Sequence, residues 1–146
     1  MEVVVKTFEE LTNTELYQLM RLRSEVFVVE QDCVYQDLDN KDQKALHVLG
    51  KKDNKIVAYT RVFKPGDYFK NTSIGRVVVH EKERKFGYGM IIMEASLKEI
   101  KKRFPDNSIE LSAQTYLVKF YTSLGFKVFG EEYLEDGIPH IRMIRK

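Results

Sequence analysis

The segment from Arg76 to Arg103 constrains the fold more than any other part of the chain. It opens with the strand-like run RVVV, passes through RKFGYG at 84–89, and continues into a stretch that is apolar at every position from Met90 to Met93. This pattern predicts a strand, a glycine-containing loop and a helix over 87–103. Because the first turns of that helix are apolar on nearly all sides, other elements must cover them, which favours a helix packed on a sheet.

Short strand and helix signals alternate along the rest of the chain. The spacing Thr12-x-x-Glu15 is that of a capping box, which predicts a helix that ends before Gln31. Another, shorter helix is predicted over 115–123. Two polar, acidic segments are interpreted as surface loops, at 32–44 and 131–137. The predicted strands are 3–7, 45–51, 55–63, 73–79, 108–113, 126–129 and 140–144.

These signals predict one mixed α/β (α+β) domain over residues 1–146, with about seven strands and three or four helices. The net charge of +2 is too small to indicate bulk binding to nucleic acid or to a membrane surface. The lone Cys33 cannot form an internal disulfide, and the N-terminal MEVVVKTFEEL lacks the pattern of a signal peptide. We therefore expect a cytoplasmic protein.

The loop at 84–89 has the composition of an anion-binding loop. Gly87 and Gly89 let the backbone approach a ligand closely, and the first N–H groups of the following helix have no partner within it. Arg84 and Lys85 add positive charge, so the predicted ligand is a phosphate or pyrophosphate. The alternative is that the two glycines only permit a tight turn. A Walker A loop would need Gly-Lys-Ser/Thr here, and a dinucleotide fingerprint would need a third glycine.

The loop also matches a known family signature. RKFGYG resembles the Arg/Gln-x-x-Gly-x-Gly/Ala motif of the GCN5-related N-acetyltransferase (GNAT) superfamily, which holds the pyrophosphate of acetyl-coenzyme A (acetyl-CoA). Downstream, QTYLVKFYTSLGF at 114–126 looks like the second motif of that family, which ends in Tyr-x-x-x-Gly-Phe. LRSEVFVVEQDCVYQDLD at 22–39, IGRVVV at 74–79 and EDGIPHIRM at 135–143 are similar to the ElaA-type branch. The likeness covers nearly the whole chain.

The resemblance implies the acyl-CoA N-acyltransferase fold, a mixed and mostly antiparallel sheet of about seven strands that splays after the fourth and is flanked by about four helices. It also implies acetyl-CoA as the acetyl donor and no metal. The strand before the loop would lie against the pantetheine arm, whose amides can pair with an exposed strand edge. The implied cofactor-binding residues are Val77, Val78, Val79, Arg84, Lys85, Phe86, Gly87, Tyr88, Gly89, Met90 and Gln114.

Tyr121 is the residue to which the resemblance gives the catalytic role. A phenol with a pKa of ~10 is protonated at neutral pH, and it can give its proton to a thiolate whose conjugate acid has a pKa of ~8.5. Without the Tyr-x-x-x-Gly-Phe motif, Tyr121 would be interpreted as a packed aromatic residue beside Phe120. Gln114 stands where many relatives have an Asn that contacts the cofactor.

The group that would deprotonate an attacking amine is left open. Some relatives carry a Glu on the strand before the loop, where this chain has Gly75. A water chain fits as well as any side chain, and no neighbour in the sequence would activate Cys33 as a nucleophile. His47 and His140 stand in strand-like segments, which favours a structural role. The candidate bases are Glu30, His47, His80, Glu110 and His140, and the candidate substrate contacts are Glu30, His47 and His140.

The implied reaction is direct transfer of an acetyl group from the thioester to a primary amine of a small molecule or a protein. The alternative is a domain of the same fold that binds acyl-CoA without catalysis, as a sensor or partner protein. No nucleic-acid or membrane partner is expected, and isolated domains of this family often pair as homodimers. Four acidic residues would either draw in a cationic amine or, as we expect, simply be solvated: Asp32, Asp37, Asp39 and Asp42.

Overall fold

Seven strands form one sheet in the order β1-β2-β3-β4-β5-β7-β6 in the computed structural model, which describes residues 1–146. Every neighbouring pair is antiparallel except β4 and β5, which are parallel. The predicted fold class, a mixed and mostly antiparallel sheet with flanking helices, is therefore confirmed. The strands are β1 Glu2–Thr7, β2 Leu46–Lys52, β3 Lys55–Phe63, β4 Thr72–Val79, β5 Ile109–Gln114, β6 Lys127–Glu135 and β7 Ile138–Arg145.

Three α-helices and a π-helical segment flank the sheet. The first helix, α1, ends at Arg23, and the chain continues without a break as a π-helix. No helix combines the length and the apolarity needed to cross a membrane. The helices are α1 Asn13–Arg23, the π-helix Ser24–Glu30, α2 Tyr88–Arg103 and α3 Val118–Ser123, with short 3₁₀ turns at Asp42–Lys44, Glu81–Phe86 and Thr115–Leu117.

The π-helix widens the end of the first helix. The N–H of Gln31 donates to the carbonyl of Val26 over 3.0 Å, and the N–H of Cys33 donates to the carbonyl of Val28 over 3.0 Å. Both bonds span five residues, which is the π-helical spacing, and such segments are frequent at functional sites. The prediction that this helix ends before Gln31 is confirmed, and its change of pitch was not predicted.

The centre of the sheet is buried on both faces. Ala58 and Val62 of β3 belong to the larger hydrophobic core, which also contains residues of α2 and α3. Tyr59 lies between them in sequence and belongs to a second core with Leu19 and Leu22 of α1. Because side chains alternate across a strand, a strand covered on both sides is apolar almost continuously, as β3 is.

The hairpin of β6 and β7 corrects the prediction of an acidic loop over 131–137. The strands run through that segment and meet at a two-residue turn, Asp136-Gly137, where φ is 52° and 79°. Asp-Gly is a strong signal for a tight hairpin turn. The charged residues misled the prediction because β6 is an edge strand, and most of its residues are exposed.

The segment 32–44 corrects a second prediction for three of its four acidic residues, because only Asp32 is exposed and the other three are bound by arginines. Asp37 and Asp42 are buried, and both accept hydrogen bonds from the fully buried Arg23 of α1. The segment is therefore held against the sheet by ion pairs. No local sequence pattern identifies a partner for the charge of Arg23, because Asp37 and Asp42 lie 14 and 19 positions away in the chain.

Glu15 anchors the start of α1. Its carboxylate completes the capping box with Thr12 and also accepts hydrogen bonds from Lys6 over 2.8 Å and Lys51 over 2.6 Å. Burial alone would raise the pKa of Glu15, but the hydrogen bonds from Lys51 and Lys6 outweigh it and lower the pKa to about 2. One carboxylate thus joins α1 to β1 and β2.

We expect Glu15→Gln to lower the free energy of unfolding at neutral pH. Because the native pKa lies below the ordinary value of 4.5, the stabilisation is complete above pH 4.5 and is lost as the pH falls towards about 2. Urea unfolding at a series of pH values measures the difference between the variant and the native protein, with the exposed Glu9→Gln as control. A difference that does not shrink in acid would contradict the assigned interactions.

Candidate active site

The sheet opens between β4 and β5. The two strands pair only at Thr72–Ile109 and Ser73–Glu110, and they diverge beyond these two pairs. β4 stays paired with β3, and β5 stays paired with β7, so the backbone groups on the inner edge of β4 have no strand beside them. The gap is a cleft of about 920 Å³. Its lining includes the predicted cofactor contacts Val77, Val78 and Val79.

A β-bulge bends β4 near the closed end of this gap, a few residues after the last pair with β5. Tyr59 pairs with Val78 and Arg61 pairs with Gly75, so two residues of β4 stand opposite the single Thr60. One of the two is Arg76, whose φ is +50°, a left-handed conformation that costs energy for a residue with a Cβ atom. Bulges bend and twist a strand, and here the bend lies where β4 leaves β5.

The side chain of Arg76 ties the bulge to the segment 32–44. Its Nε donates to Asp37 Oδ1 over 2.8 Å, and an Nη atom donates to the Asp37 carbonyl over 3.1 Å. Asp37 Oδ2 also accepts a hydrogen bond from Arg23 Nε over 3.0 Å. These groups belong to an ionic network of three arginines and three aspartates, namely Arg23, Arg61, Arg76, Asp37, Asp39 and Asp42.

The network is closed by Asp42, which lies between two arginines. Its Oδ1 accepts from Arg23 over 2.7 Å and from Arg61 over 3.0 Å. Burial alone would raise the pKa of Asp42, but the two guanidinium groups outweigh it and keep the pKa below its usual value. Tyr35, which lines the cleft, donates its hydroxyl to Asp37 Oδ1 over 2.8 Å. The network thus reaches the wall of the cleft.

Arg84 stands where the cleft meets the start of α2. Its guanidinium donates two hydrogen bonds to Glu30, of 2.6 and 2.7 Å, and its Nε donates to the carbonyl of Val79 over 3.1 Å. Arg84 and Glu30 both line the cleft. The hydrogen bonds from Arg84 lower the pKa of Glu30, so Glu30 is a carboxylate bound to a cation and not a free base.

The start of α2 leaves backbone donors without a side-chain cap. Gly87 takes the left-handed conformation, with φ of +72°, and no side chain caps the helix. Gly87, Gly89 and Met90 line the cleft. At Gly89 an added Cβ would lie 3.6 Å from the Phe120 ring, which is an ordinary contact. Packing within the chain therefore tolerates a Cβ at this position and does not by itself demand glycine.

Three predicted cofactor contacts do not line the cleft with their side chains. Phe86 and Tyr88 make cation–π contacts with Lys52, whose Nζ lies 4.2 Å and 5.7 Å from their ring centroids. Lys85 lies over Phe86, with Nζ 5.2 Å from the ring centroid. These three side chains pack among themselves and with Lys52. Only the backbone of this part of the loop is available to a ligand.

Tyr121 lines the cleft from α3 and is 5% exposed. Its ring packs edge-on against Phe120 and Phe126, with centroid distances of 5.1 and 6.2 Å. Its hydroxyl has no hydrogen-bond partner in the chain, and burial raises its pKa above the ordinary value for tyrosine. Tyr121 therefore carries a proton at neutral pH and is free to donate it to a group in the cleft.

Gln114 ends β5 on the opposite wall. Its side-chain amide exchanges hydrogen bonds with that of Gln31, at 3.3 and 3.5 Å. Gln31 follows the π-helix directly, so this pair bridges the cleft between the first helical unit and β5. Backbone pairing places Gln114 next to His140 of β7.

His47, a candidate base and substrate contact for which the sequence favoured a structural role, does not line the cleft. It is fully buried, with Nδ1 2.6 Å from the Tyr59 hydroxyl and Nε2 2.9 Å from the Asp42 carbonyl. Burial lowers its pKa, so the ring is neutral at neutral pH. Both nitrogens are used inside the protein, and His47 supports the 3₁₀ turn that carries Asp42.

Two of the remaining candidate bases are also outside the lining of the cleft. His80 accepts a hydrogen bond from the Lys82 N–H over 3.2 Å and lies 3.5 Å from Glu25. Glu110 is buried and bound by Arg142 and Asn71. His140 is the only one of the three histidines that lines the cleft.

The sequence analysis missed several residues of the cleft. Tyr35, Tyr68 and Ser112 line it, as do Glu135 and Asp136 from the β6–β7 hairpin. The Asp136-Gly137 pair was the available signal for Glu135 and Asp136, because it predicts a hairpin turn. A hairpin there extends both strands up to the turn and places the turn near the end of β5, which pairs with β7. For Tyr35 and Tyr68, which lie outside the strands and α-helices, no local pattern gave a signal.

An open sheet with a cleft between β4 and β5 and a glycine loop at a helix start defines the class of acyl-CoA-dependent acyltransferases. The sequence profile of the family described as "Acetyltransferase (GNAT) domain" matches residues 7–146. The chain belongs to this family. Within it, the chain is of the ElaA type, being 44% identical over 139 residues to protein ElaA of Escherichia coli strain K12, a match that covers 94% of this chain and 91% of that protein.

Solved structures agree with this assignment. An acyl-CoA N-acyltransferase from Pseudomonas aeruginosa is 39% identical, with a TM-score of 0.94 and full coverage of both chains. The crystal structure of Escherichia coli ElaA gives a TM-score of 0.93 at 41% identity, over 99% of each chain. A GNAT family acetyltransferase from Elizabethkingia anophelis, solved with acetyl-CoA bound, has a TM-score of 0.67 at 17% identity, covers 99% of this chain and 97% of its own, and shares the fold.

We expect Arg76→Ala to destabilise the protein more than Arg76→Gly. Both variants lose the bonds to Asp37, but only alanine keeps a Cβ atom at a φ of +50°. The difference should be about 1 kcal/mol in the free energy of unfolding. Guanidinium unfolding of the two variants measures it directly, and a more stable alanine variant would show that the bulge relaxes when the guanidinium is removed.

Proposed function

We propose that the protein is an acetyl-CoA-dependent N-acetyltransferase that acts on a primary amine by direct attack on the thioester. The observation that carries this proposal is the continuity of the cleft. It joins the uncapped start of α2, the free edge of β4 and the unpartnered hydroxyl of Tyr121. A carrier with an anionic end, an amide-containing arm and a thioester needs these three features in this order.

The anionic end of acetyl-CoA fits the start of α2. The N–H groups that open a helix attract anions, no side chain caps them here, and glycine at position 89 adds no side chain that would keep a diphosphate away. Arg84 stands beside these donors and adds a guanidinium suited to phosphate. Since Arg84 is bound to Glu30, the diphosphate would share or replace that carboxylate as its partner.

The arm fits the inner edge of β4. From Ile74 onward this edge has no neighbouring strand, so its N–H and C=O groups can pair with the arm's amides as a further strand would. Acetyl-CoA supplies an activated acyl group in the form of a thioester. A backbone N–H of Val77–Val79, next to the bulge, would hold the acyl oxygen and favour the charge that develops on it.

Tyr121 would protonate the sulfur that leaves. Its raised pKa keeps the proton on the phenol at neutral pH, so the hydroxyl can donate a hydrogen bond to the sulfur as negative charge develops there. The proton passes to the sulfur while the nitrogen of the product gives a proton back to the phenol. The hydroxyl has no competing partner inside the protein, so no hydrogen bond must be broken first. The apolar packing of Phe120 and Phe126 fixes the ring.

We expect Gly89→Val to weaken the binding of coenzyme A at least tenfold, about 1.4 kcal/mol. The new side chain would fill the space in front of the helix start, while its Cβ makes only ordinary contacts with the fold. Isothermal titration calorimetry measures the dissociation constant. Ile91→Ala, an exposed site two residues along α2 that does not line the cleft, is the matched control. Unchanged affinity in Gly89→Val would contradict the assignment of the phosphate site.

We expect Tyr121→Phe to lower kcat about 100-fold without weakening coenzyme A binding. Phenylalanine keeps the packing and removes only the proton donor. Thiol release from acetyl-CoA, measured with a panel of primary amines, gives the rate, and the exposed Tyr17→Phe is the control. Equal rates would remove Tyr121 from the mechanism. Binding of acetyl-CoA without turnover across the whole panel would favour the non-catalytic sensor instead.

A further inference from the structure

His140 holds its ring in one orientation by two contacts. Nδ1 lies 2.7 Å from the carbonyl oxygen of Ile138, and Nε2 lies 3.3 Å from Glu135 Oε2. A carbonyl oxygen only accepts hydrogen bonds, so Nδ1 carries a hydrogen whether the ring is neutral or charged. The atom that gains or loses a proton is therefore Nε2.

The other atom near Nε2 is also an acceptor. When Nε2 is protonated, it can donate to the Glu135 carboxylate, and both ring nitrogens are then satisfied. When Nε2 is not protonated, its lone pair faces a negative group and lacks a donor. The protonated ring thus has an acceptor for each of its two N–H groups, whereas the neutral ring has no donor for the lone pair of Nε2. Such surroundings favour a ring that accepts a proton at Nε2.

The ring is held rigidly within the cleft wall. The side chain of His140 is 8% exposed, and its ring stacks on Tyr133 with a centroid distance of 6.1 Å. Tyr133 is itself fixed by a hydrogen bond between its hydroxyl and Ser112 on β5. Glu135, in contrast, is 48% exposed, so its carboxylate can move to admit another group beside Nε2.

The other titratable groups near the ring have different roles. Cys33 donates its thiol to the carbonyl of Asp136 over 3.3 Å, and Asp136 occupies the turn of the hairpin. Tyr133 is bound to Ser112, and no arginine or lysine contacts Nε2. Glu30 is bound by Arg84, which leaves His140 as the one candidate base of the cleft without a cation on it.

We propose that His140, assisted by Glu135, takes the proton of a cationic acceptor amine and so makes it nucleophilic. This rests on the proposed function, because it names the base of that reaction and the charge of its substrate. The ammonium group docks between Nε2 and the carboxylates of Glu135 and Asp136, which give this end of the cleft negative charge. The acceptor is an amine that is protonated in solution.

The proton balance requires two protons to leave the nitrogen. The first passes from the ammonium to His140 Nε2, where Glu135 stabilises the resulting imidazolium, and it is released to water after the product departs. The nitrogen lone pair then bonds to the acyl carbon, and the carbon–sulfur bond breaks. The sulfur takes its proton from Tyr121, and the second proton of the nitrogen restores the phenol. The net products are an amide, a thiol and one proton in solution.

The first test measures the tautomer of His140 by nitrogen NMR without any turnover. We expect the neutral ring to carry its hydrogen on Nδ1, because Nδ1 faces the carbonyl oxygen of Ile138. Glu135→Gln should change the Nε2 signal because it replaces the group next to that atom, whereas Glu132→Gln, an exposed residue on the same strand, should leave it unchanged. A neutral ring with its hydrogen on Nε2, or an Nε2 signal unaffected by Glu135→Gln, would overturn the proposal.

The second test measures kcat/KM against pH with an amine that the native protein acetylates. His140→Gln should lower kcat/KM about 100-fold and abolish the acid limb of the profile, and Glu135→Gln should lower kcat/KM by a smaller factor because the imidazolium loses its anionic partner. Coenzyme A binding by calorimetry confirms that each variant is folded. A loss of rate that leaves the acid limb in place would show a structural role and overturn the proposal.

The two proposals fail in different ways. If no amine is acetylated by the native protein, the proposed function fails. If the native protein is active and His140→Gln has the same rate and the same profile, the function stands and the assignment of the base is wrong. Because Glu135 is exposed, Glu135→Gln keeps the test decisive even if His140→Gln does not fold.

Discussion

The ionic network of Arg23, Arg61, Arg76, Asp37, Asp39 and Asp42 is the constraint on which the cleft depends. It joins α1, β3, the bulge of β4 and the segment 32–44, which are far apart in the chain. Ion pairs this deeply buried add little net stability, yet removing one partner costs ~3–5 kcal/mol because a buried charge is left alone. The network therefore acts mainly by fixing the relative positions of these elements. It holds a left-handed residue in β4 and keeps one wall of the cleft against the sheet.

The bulge and the divergence of β4 from β5 make one sheet serve two purposes. On its outer side β4 pairs with β3 before and after the bulge. On its inner side it offers unpaired backbone to a ligand. The apolar side chains that build the core and the polar groups that face the cleft thus come from the same few residues. Tyr121 shows this most clearly, because its ring belongs to the core while its hydroxyl faces the cleft.

The fold was largely predictable because its central elements carry local signals. The apolar run before the glycines, the continuous apolar face of α2 and the Thr12–Glu15 capping box each depend on neighbouring residues alone. The errors came from residues whose roles are set by distant partners. Asp37 and Asp42 were interpreted as solvated because the arginines that bind them lie up to 39 positions away in the chain. The second half of the edge strand β6 was interpreted as a loop because exposure on both faces removes the apolar alternation.

The two residue pairs that join β4 to β5 form the closed end of the cleft. One more pair would move that end by one residue, ~3.3 Å along the strands, and would shorten the cleft by the same length. The depth of the cleft is thus set by main-chain hydrogen bonds at its closed end. Evolution can alter the size of group admitted there by a change of strand pairing, without replacing any side chain that touches the occupant.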